Sequence, residues 1–411
     1  MTQLAINPAH HIDATPAAAT AAGTMVGQNI VCFAKDWDEN PTSNNHVMRL
    51  LGRHNRVLWL NSITTRTPNL RSRRDLKKIL AKLLSFARGP RHVADGLWVY
   101  TPVVLPFPHS TLATRLNRWI LKASLAVLRR RLRIGNHFQL WVFLPTAAKY
   151  VGTLGESLIV YYVTDQYAKF GYVDAAEVAA NDKALCEKAD VVFATAQSLV
   201  DDRLCLNRET HLSRHGVDYE LFASALDDAT VVPPDIAALP KPVLGYYGAI
   251  ERWLDFELIE QLARRHPNWS IALIGQTLTD VSRLRALPNV HFLGRKSHSE
   301  LPAYCKGMSV GLIPHQVNEL TVHMNPIKLR EYLSAGLPVV SVDLPEVRAY
   351  DRDCRIAGNY DDFDRAVQEA ITRDSPDARR IRSNGMRSET WERRVAQIGK
   401  LVTRARSRKS M

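Results

Sequence analysis

The feature that most constrains the fold is a pattern that occurs twice along the chain. Short apolar runs alternate with stretches of helical periodicity. In the first half the runs are residues 30–33, 57–61, 97–102, 140–143, 158–163 and 191–194, and between several of them lie helix-period stretches such as 46–51, with apolar Val47, Leu50 and Leu51. The pattern then stops. Residues 227–242 contain Asp227, Asp228, Pro233, Pro234, Pro240 and Pro242 and show little periodicity. It resumes with apolar runs at 243–247, 270–275, 290–293, 309–313 and 339–342. Apolar strands separated by helices form parallel sheets with helices on their faces. A chain of 411 residues also exceeds what one hydrophobic core of ordinary size can serve. The expectation is therefore an α/β chain of two such domains facing across a cleft, residues 28–226 and 243–385, joined by a linker at 227–242. Residues 386–411 form a basic C-terminal helix and tail, and the Ala- and Thr-rich residues 1–27 form a flexible tail. Ligands of such sheets bind at the carboxyl ends of the strands.

The most specific segment is Asn325-Pro-Ile-Lys-Leu-Arg-Glu-Tyr-Leu-Ser-Ala-Gly-Leu-Pro-Val-Val340. Asn325 is a good helix cap, Pro326 suits the first helical position, and Gly336 suits the stop. The first turn of the helix offers free N–H groups and the positive end of the dipole, an anion site suited to a diphosphate. Lys328 adds a formal charge there. Glu331 lies one turn on along the same face, where a carboxylate can accept both hydroxyls of a ribose. By itself such a segment also fits a surface Lys–Glu pair on an ordinary capped helix.

This segment resembles the donor-binding signature of GT-B glycosyltransferases, in particular the large family 4 type, whose motif precedes a run like Ala335-Gly-Leu-Pro-Val-Val340. Further motifs follow in the family's order: His215-Gly-Val-Asp-Tyr-Glu-Leu-Phe222, Val243-Leu-Gly-Tyr-Tyr-Gly248, Asn289-Val-His-Phe-Leu-Gly294, Glu300-Leu-Pro-Ala-Tyr304 and Gly311-Leu-Ile-Pro314. The resemblance implies two Rossmann-like domains, a C-terminal helix crossing back to the first of them, and a nucleoside-diphosphate sugar as co-substrate. It implies ribose binding by Glu331, diphosphate binding by Lys328, and close backbone approach at Gly248, with Asn325 in the same grip and Arg252 as a second phosphate cation. There are departures. The family often carries a second Glu with seven residues between the pair, and here that position is His323; Glu319, from the same loop, is the substitute. His215 stands where the family has Asn. The missing Glu leaves the stereochemical outcome open.

On the acceptor side, Asp165 is the candidate base. It follows the apolar run 158–163, and Tyr161 to Asp165 resembles the Tyr-x-x-x-Asp of related bacterial transferases. Capping of the next helix is its ordinary alternative role. Asp36-Trp-Asp38 has the spacing of a metal motif, but it is short and sits in a chain whose other signals are GT-B, so no metal and no cofactor are expected. Asp38 and His46 are acceptor-contact candidates, against simple helix capping by Thr42 or Ser43.

Charge is localised. Residues 66–133 hold 16 Lys and Arg against two acids, while the rest of the chain is nearly balanced. Leu76, Ile79, Leu80, Leu83 and Ala87 have helical spacing among Arg73, Arg74, Lys77, Lys78 and Lys82. A second helix from Leu112 carries Leu116, Trp119, Ile120 and Ala123, then Arg129, Arg130 and Arg131. Basic amphipathic helices of this kind suit an anionic membrane surface, unless their apolar stripes pack on the sheet. The run is Leu-rich and poor in aromatic residues, which argues against nucleic acid. No window reaches the ~18 apolar residues of a spanning helix. Residues 1–27 lack a cationic start and a Leu-rich core, so they do not read as a secretory signal. The five cysteines are scattered, without a CxxC pair, which suits a reducing compartment. The expectation is a cytoplasmic enzyme on the inner face of the plasma membrane, transferring sugar to a glycan, lipid-linked acceptor in surface-polysaccharide synthesis. The alternatives are an epimerase-like enzyme of the same architecture and a nucleotide-binding protein without turnover.

Overall fold

In the computed structural model, which describes residues 25–39, 41–63, 80, 82, 84–107, 110–171 and 173–410, the apolar runs become two separate sheets. The first contains β1 (Asn29–Phe33), β2 (Arg56–Leu60), β3 (Arg91–Ala94), β4 (Leu97–Tyr100), β5 (Gln139–Val142), β6 (Leu158–Val163), β7 (Val191–Ala194) and β8 (Thr210–Leu212), in the order β3-β4-β2-β1-β5-β6-β7-β8. The second contains β9 (Val243–Tyr247), β10 (Ser270–Ile274), β11 (Val290–Gly294), β12 (Val310–Ile313), β13 (Val339–Val342) and β14 (Cys354–Ala357), in the order β11-β10-β9-β12-β13-β14. Every described pairing between these strands is parallel except β3 with β4. The strand order reverses beside β1 and beside β9, and at such switch points the loops diverge and open a crevice.

The central strands are buried on both faces. β6 is apolar or aromatic at all six positions and all six are buried. Burying each such side chain stabilises the fold by about 1.5–3 kcal/mol. The three strands that hydrophobic runs do not announce lie at sheet edges: β3 reads Arg-His-Val-Ala, β8 has three residues, and β14 reads Cys-Arg-Ile-Ala. An edge strand has one neighbour and less need of an apolar sequence.

The chain enters the second domain earlier than the Pro-rich segment suggests. Val217, Tyr219, Phe222 and Ala225 pack in the second core, which corrects the boundary expected at 226. Residues 227–242 carry one short helix, Pro234–Ala237, and Asp235 there pairs with Lys296 at 2.7 Å. The C-terminal helix, Trp391–Lys409, returns to the first domain, where Trp391, Val395, Ile398, Val402 and Ala405 pack with Val47, Met48 and Leu51. The two crossings touch: Val217 N–H donates to the Glu389 carbonyl at 2.9 Å and Trp391 N–H to the Val217 carbonyl at 3.3 Å. Glu346 adds a buried tie. Its carboxylate accepts from Gln197 N–H and the Arg214 guanidinium, both at 2.7 Å, and from Asn325 at 3.2 Å.

Candidate active site

A cavity of about 690 Å³ lies between the domains at the carboxyl ends of both sheets. From the first domain it is lined by Lys35, just after β1, by Ser43 and His46 on the helix Ser43–Gly52, and by Asp165, just after β6. From the second domain it is lined by Gly248 after β9, Gly275 after β10, and Lys328 and Glu331 on the helix Ile327–Ser334.

The glycine loops are shaped by contact. Gly248 has φ +134° and Gly275 φ +151°, backbone that side-chain-bearing residues rarely adopt. A Cβ on Gly275 would lie 1.8 Å from the Gly248 carbonyl oxygen, and one on Gly248 would lie 2.6 Å from Cε of Lys328. The Gly248 backbone thus runs close against the Lys328 ammonium group, while the Gly248 and Gly275 amides donate to the Ile274 and Gly294 carbonyls, each at 2.8 Å. Lys328 lies over the Tyr246 ring, its Nζ 5.2 Å from the centroid, and it has no carboxylate partner among the described residues. Glu331, 5% exposed, is held on both oxygens: Oε2 accepts from the Tyr247 hydroxyl at 2.9 Å and Oε1 faces His298 Nε2 at 3.3 Å.

The titrating groups divide by surroundings. Burial lowers His298, and the Glu331 carboxylate more than offsets this, leaving it above the ordinary histidine value. Burial, with His298 adding repulsion, brings His46 down to about 4. The His46 ring stacks on Trp391 at 4.9 Å. His215 falls to about 3, through burial and then the nearby Arg330, and its Nδ1 meets the Ser43 hydroxyl at 2.8 Å. Burial lowers Lys35 to about 8, with Glu39 partly opposing. Burial raises Asp165, against the Thr164 hydrogen bond and the Lys328 charge.

Of the residues singled out in the sequence, Gly248, Lys328, Glu331, Asp165 and His46 line this cavity. Five others do not. Asn325 is not the helix cap: Pro326 holds that position, and the Asn325 side chain donates to the Thr195 carbonyl at 2.6 Å while its oxygen accepts from Arg330 at 2.7 Å. It is an interdomain tie. Arg252 is exposed beside Glu251. Glu319 is exposed and paired with Lys169, so it does not take the place of the family's missing Glu. His323 meets Ser198 at 2.9 Å. Asp38 is paired with Arg91 at 2.7 Å, and Asp36 accepts from Ser62, so each carboxylate is engaged away from the cavity. Sequence reasoning missed Lys35, Tyr247, His298 and Arg295, which also line the cavity. Lys35 and Tyr247 carry a usable signal, their place at the carboxyl ends of β1 and β9. His298 and Arg295 sit in a loop without one.

Residues 241–373 match the family model described as glycosyl transferases group 1. The second domain is a group 1 glycosyl transferase domain. The putative teichuronic acid biosynthesis glycosyltransferase TuaH of Bacillus subtilis (strain 168) is 30% identical over 232 residues, covering 53% of this chain and 57% of that protein's length. The chain thus spans little more than half of this relative. Solved structures share the whole two-domain arrangement. Sucrose-phosphate synthase from Thermosynechococcus elongatus has a TM-score of 0.65 at 14% identity, covering 92% of this chain and 98% of that one. The Anabaena Alr3699/HepE protein in complex with UDP and glucose has a TM-score of 0.57 at 14% identity, covering 93% and 98%. The fold is GT-B. The matched group 1 domain contains Gly248, Gly275, Lys328 and Glu331, whereas Lys35, His46 and Asp165 come from the domain facing it.

Proposed function

We propose that the protein is a glycosyltransferase that moves a sugar from a nucleoside-diphosphate sugar to a glycan acceptor in cell-surface polysaccharide synthesis. The observation that carries this reading is the convergence in one interdomain cavity of a glycine-lined backbone, an ammonium group without a carboxylate partner among the described residues, a buried carboxylate and a second acid on the opposite wall. In this reading Lys328, the helix start and the Gly248 loop hold the diphosphate and stabilise the charge that develops as it leaves. Glu331 takes the ribose. The acceptor hydroxyl attacks the anomeric carbon from the face opposite the leaving phosphate, the bond from that carbon to the phosphate oxygen breaks with inversion, and Asp165 takes the hydroxyl proton. A carboxyl with a raised pKa is suited to that step. No metal is given a role. TuaH, named for teichuronic acid biosynthesis, and the UDP-bound Anabaena structure support the donor and product class.

The acceptor in this proposal is lipid-linked and the enzyme works at the cytoplasmic leaflet. No helix among the described residues is long and apolar enough to cross a membrane. The support comes from the helix Thr111–Arg131. Its inner face packs through Ala113, Leu121, Leu125 and Leu128. A second apolar stripe faces out, with Leu112 75%, Leu116 44%, Trp119 69% and Val127 67% exposed. Arg115 and Lys122 flank the stripe, and Arg130 and Arg131 end it. This is the arrangement of a helix that lies in a lipid interface. Most of the other predicted basic helix, including Leu76, Ile79 and Leu83, lies outside the described residues.

Thermal stabilisation by UDP, GDP, ADP and their sugar conjugates tests the donor. Acceptor-dependent release of the nucleotide from the conjugate that responds then separates a transferase from an epimerase-like enzyme or a binder without turnover. Silence from every nucleotide overturns the reading.

A further inference from the structure

Glu331 has an unusual setting for a group read as a ribose acceptor. A carboxylate offers about four lone-pair positions on two oxygens. Here one position on each oxygen is occupied by a protein donor, Tyr247 on Oε2 at 2.9 Å and His298 on Oε1 at 3.3 Å. One position on each oxygen is left, and Glu331 lines the cavity. Two acceptor positions, one per oxygen and fixed in orientation, are the complement of two hydroxyls on adjacent carbons.

Both donors are themselves braced. Tyr247 is buried and sits edge-on to Tyr332 at 4.7 Å. His298 lies edge-on to Phe222 at 5.4 Å and 5.6 Å from the His46 ring. The charged and titratable groups acting on His298 are Glu331, Asp218, Arg49 and His46. His46, brought down to about 4, is too weak a base to compete with Glu331 for the His298 proton. Because an ionised carboxylate only accepts, Nε2 carries the hydrogen in this contact.

We infer that His298 and Tyr247 are positioning residues that fix Glu331 as a receptor for two vicinal hydroxyls, and that the site therefore selects ribonucleoside over 2′-deoxyribonucleoside diphosphates as donors. The inference rests on the donor reading above. A 2′-deoxy donor leaves one oriented lone pair of a buried carboxylate without a partner, which is the form of discrimination that polar sites perform best.

The experiment compares the affinity of the full chain for UDP, GDP and ADP with that for dUDP, dGDP and dADP, by calorimetric titration. The wild-type chain prefers the ribonucleotide by about tenfold or more. Glu331→Ala brings the ratio near one. His298→Ala also lowers the ratio, chiefly by weakening the ribonucleotide while the deoxynucleotide binds as before, and His298→Gln, which keeps an N–H donor, restores part of it. A general structural defect would weaken both ligands alike. If His298→Ala proves unfolded by circular dichroism, Tyr247→Phe, which removes a single hydroxyl, must lower the ratio instead. Loss of discrimination in Glu331→Ala with the wild-type ratio kept in folded His298→Ala or Tyr247→Phe overturns this inference and leaves the donor reading intact. A wild-type ratio in Glu331→Ala, or no nucleotide binding at all, overturns the donor reading and the inference together.

Discussion

A lysine and a glutamate three residues apart on a helix are common, and what distinguishes Lys328 and Glu331 is what surrounds each. Glu331 is buried and held by two donors, while Lys328 lies against Gly248, where any added Cβ would displace it. The pair was legible in the sequence because helical spacing is a local property. Asn325 was misread for the complementary reason. The groups its amide donates to, Thr195 and Glu346, are far off in sequence, and only Arg330, on its oxygen, is near. The two catalytic assignments separate in kinetics. Lys328→Ala removes charge from the leaving diphosphate and is expected to lower kcat/KM about 10²–10³-fold, the loss typical of one oxyanion donor. Asp165→Asn is expected to lower kcat about 10²–10⁴-fold with the donor KM nearly unchanged. In the wild-type enzyme kcat is expected to fall on the acid side as Asp165 protonates, and its raised pKa places that limb above the ordinary aspartate range. Steady-state rates against pH check both. An Asp165→Asn enzyme of near-wild-type kcat would remove Asp165 from the chemistry.

At the scale of elements, what sequence revealed followed burial. β6, β7 and β9 begin and end where their apolar runs do, because each is covered on both faces. The edge strands β3, β8 and β14 have no such run and were invisible. The helix Thr111–Arg131 was ambiguous for a physical reason. Its apolar residues fall on two opposite faces, and sequence periodicity does not say which face meets the sheet. The structure resolves this: Leu121, Leu125 and Leu128 are buried, and Leu112, Leu116 and Trp119 are not. The two faces therefore respond differently to substitution. Leu112→Ser, Leu116→Ser and Trp119→Ser combined are expected to change folding stability by at most about 0.5 kcal/mol per site, since exposed positions contribute little. The same protein should lose flotation with anionic vesicles. Leu121→Ala, on the buried face, should instead destabilise by about 2–5 kcal/mol. Undiminished flotation of the triple variant, or equal binding of the wild type to neutral vesicles, would rule out the helix as the lipid contact.

Across the whole molecule, the two domains are held by polar groups that tolerate burial in one ionisation state. His46 and His215 stand at the domain junction, and His315 lies in the second domain near Lys328, with its pKa brought down to about 3 by burial and then by that charge. All three are neutral in the folded protein at pH 7, whereas an unfolded histidine titrates near its ordinary value of about 6.5. As pH falls below 6.5 the unfolded chain takes up protons that the folded chain refuses, so stability must fall with pH in this window. By pH 4 each such histidine accounts for on the order of 3 kcal/mol, and three together approach the whole stability of a typical domain, about 5–15 kcal/mol. His298 has the opposite sign, because its folded pKa is raised: its contribution is fully present below 6.5 and is lost as pH rises through the folded value. One group against three does not reverse the trend. The melting temperature is therefore expected to be nearly level between pH 7 and the Lys35 value of about 8, and to drop steeply between pH 6.5 and 4, before the paired carboxylates titrate. In His215→Asn, which keeps a polar group near Ser43 but cannot protonate, the drop should be shallower by about one histidine's share. Thermal unfolding followed by circular dichroism over this range measures both slopes. A wild-type melting temperature that holds to pH 4.5 would mean that the buried imidazoles find partners for their protons, and that the domain junction is wetter than its packing implies.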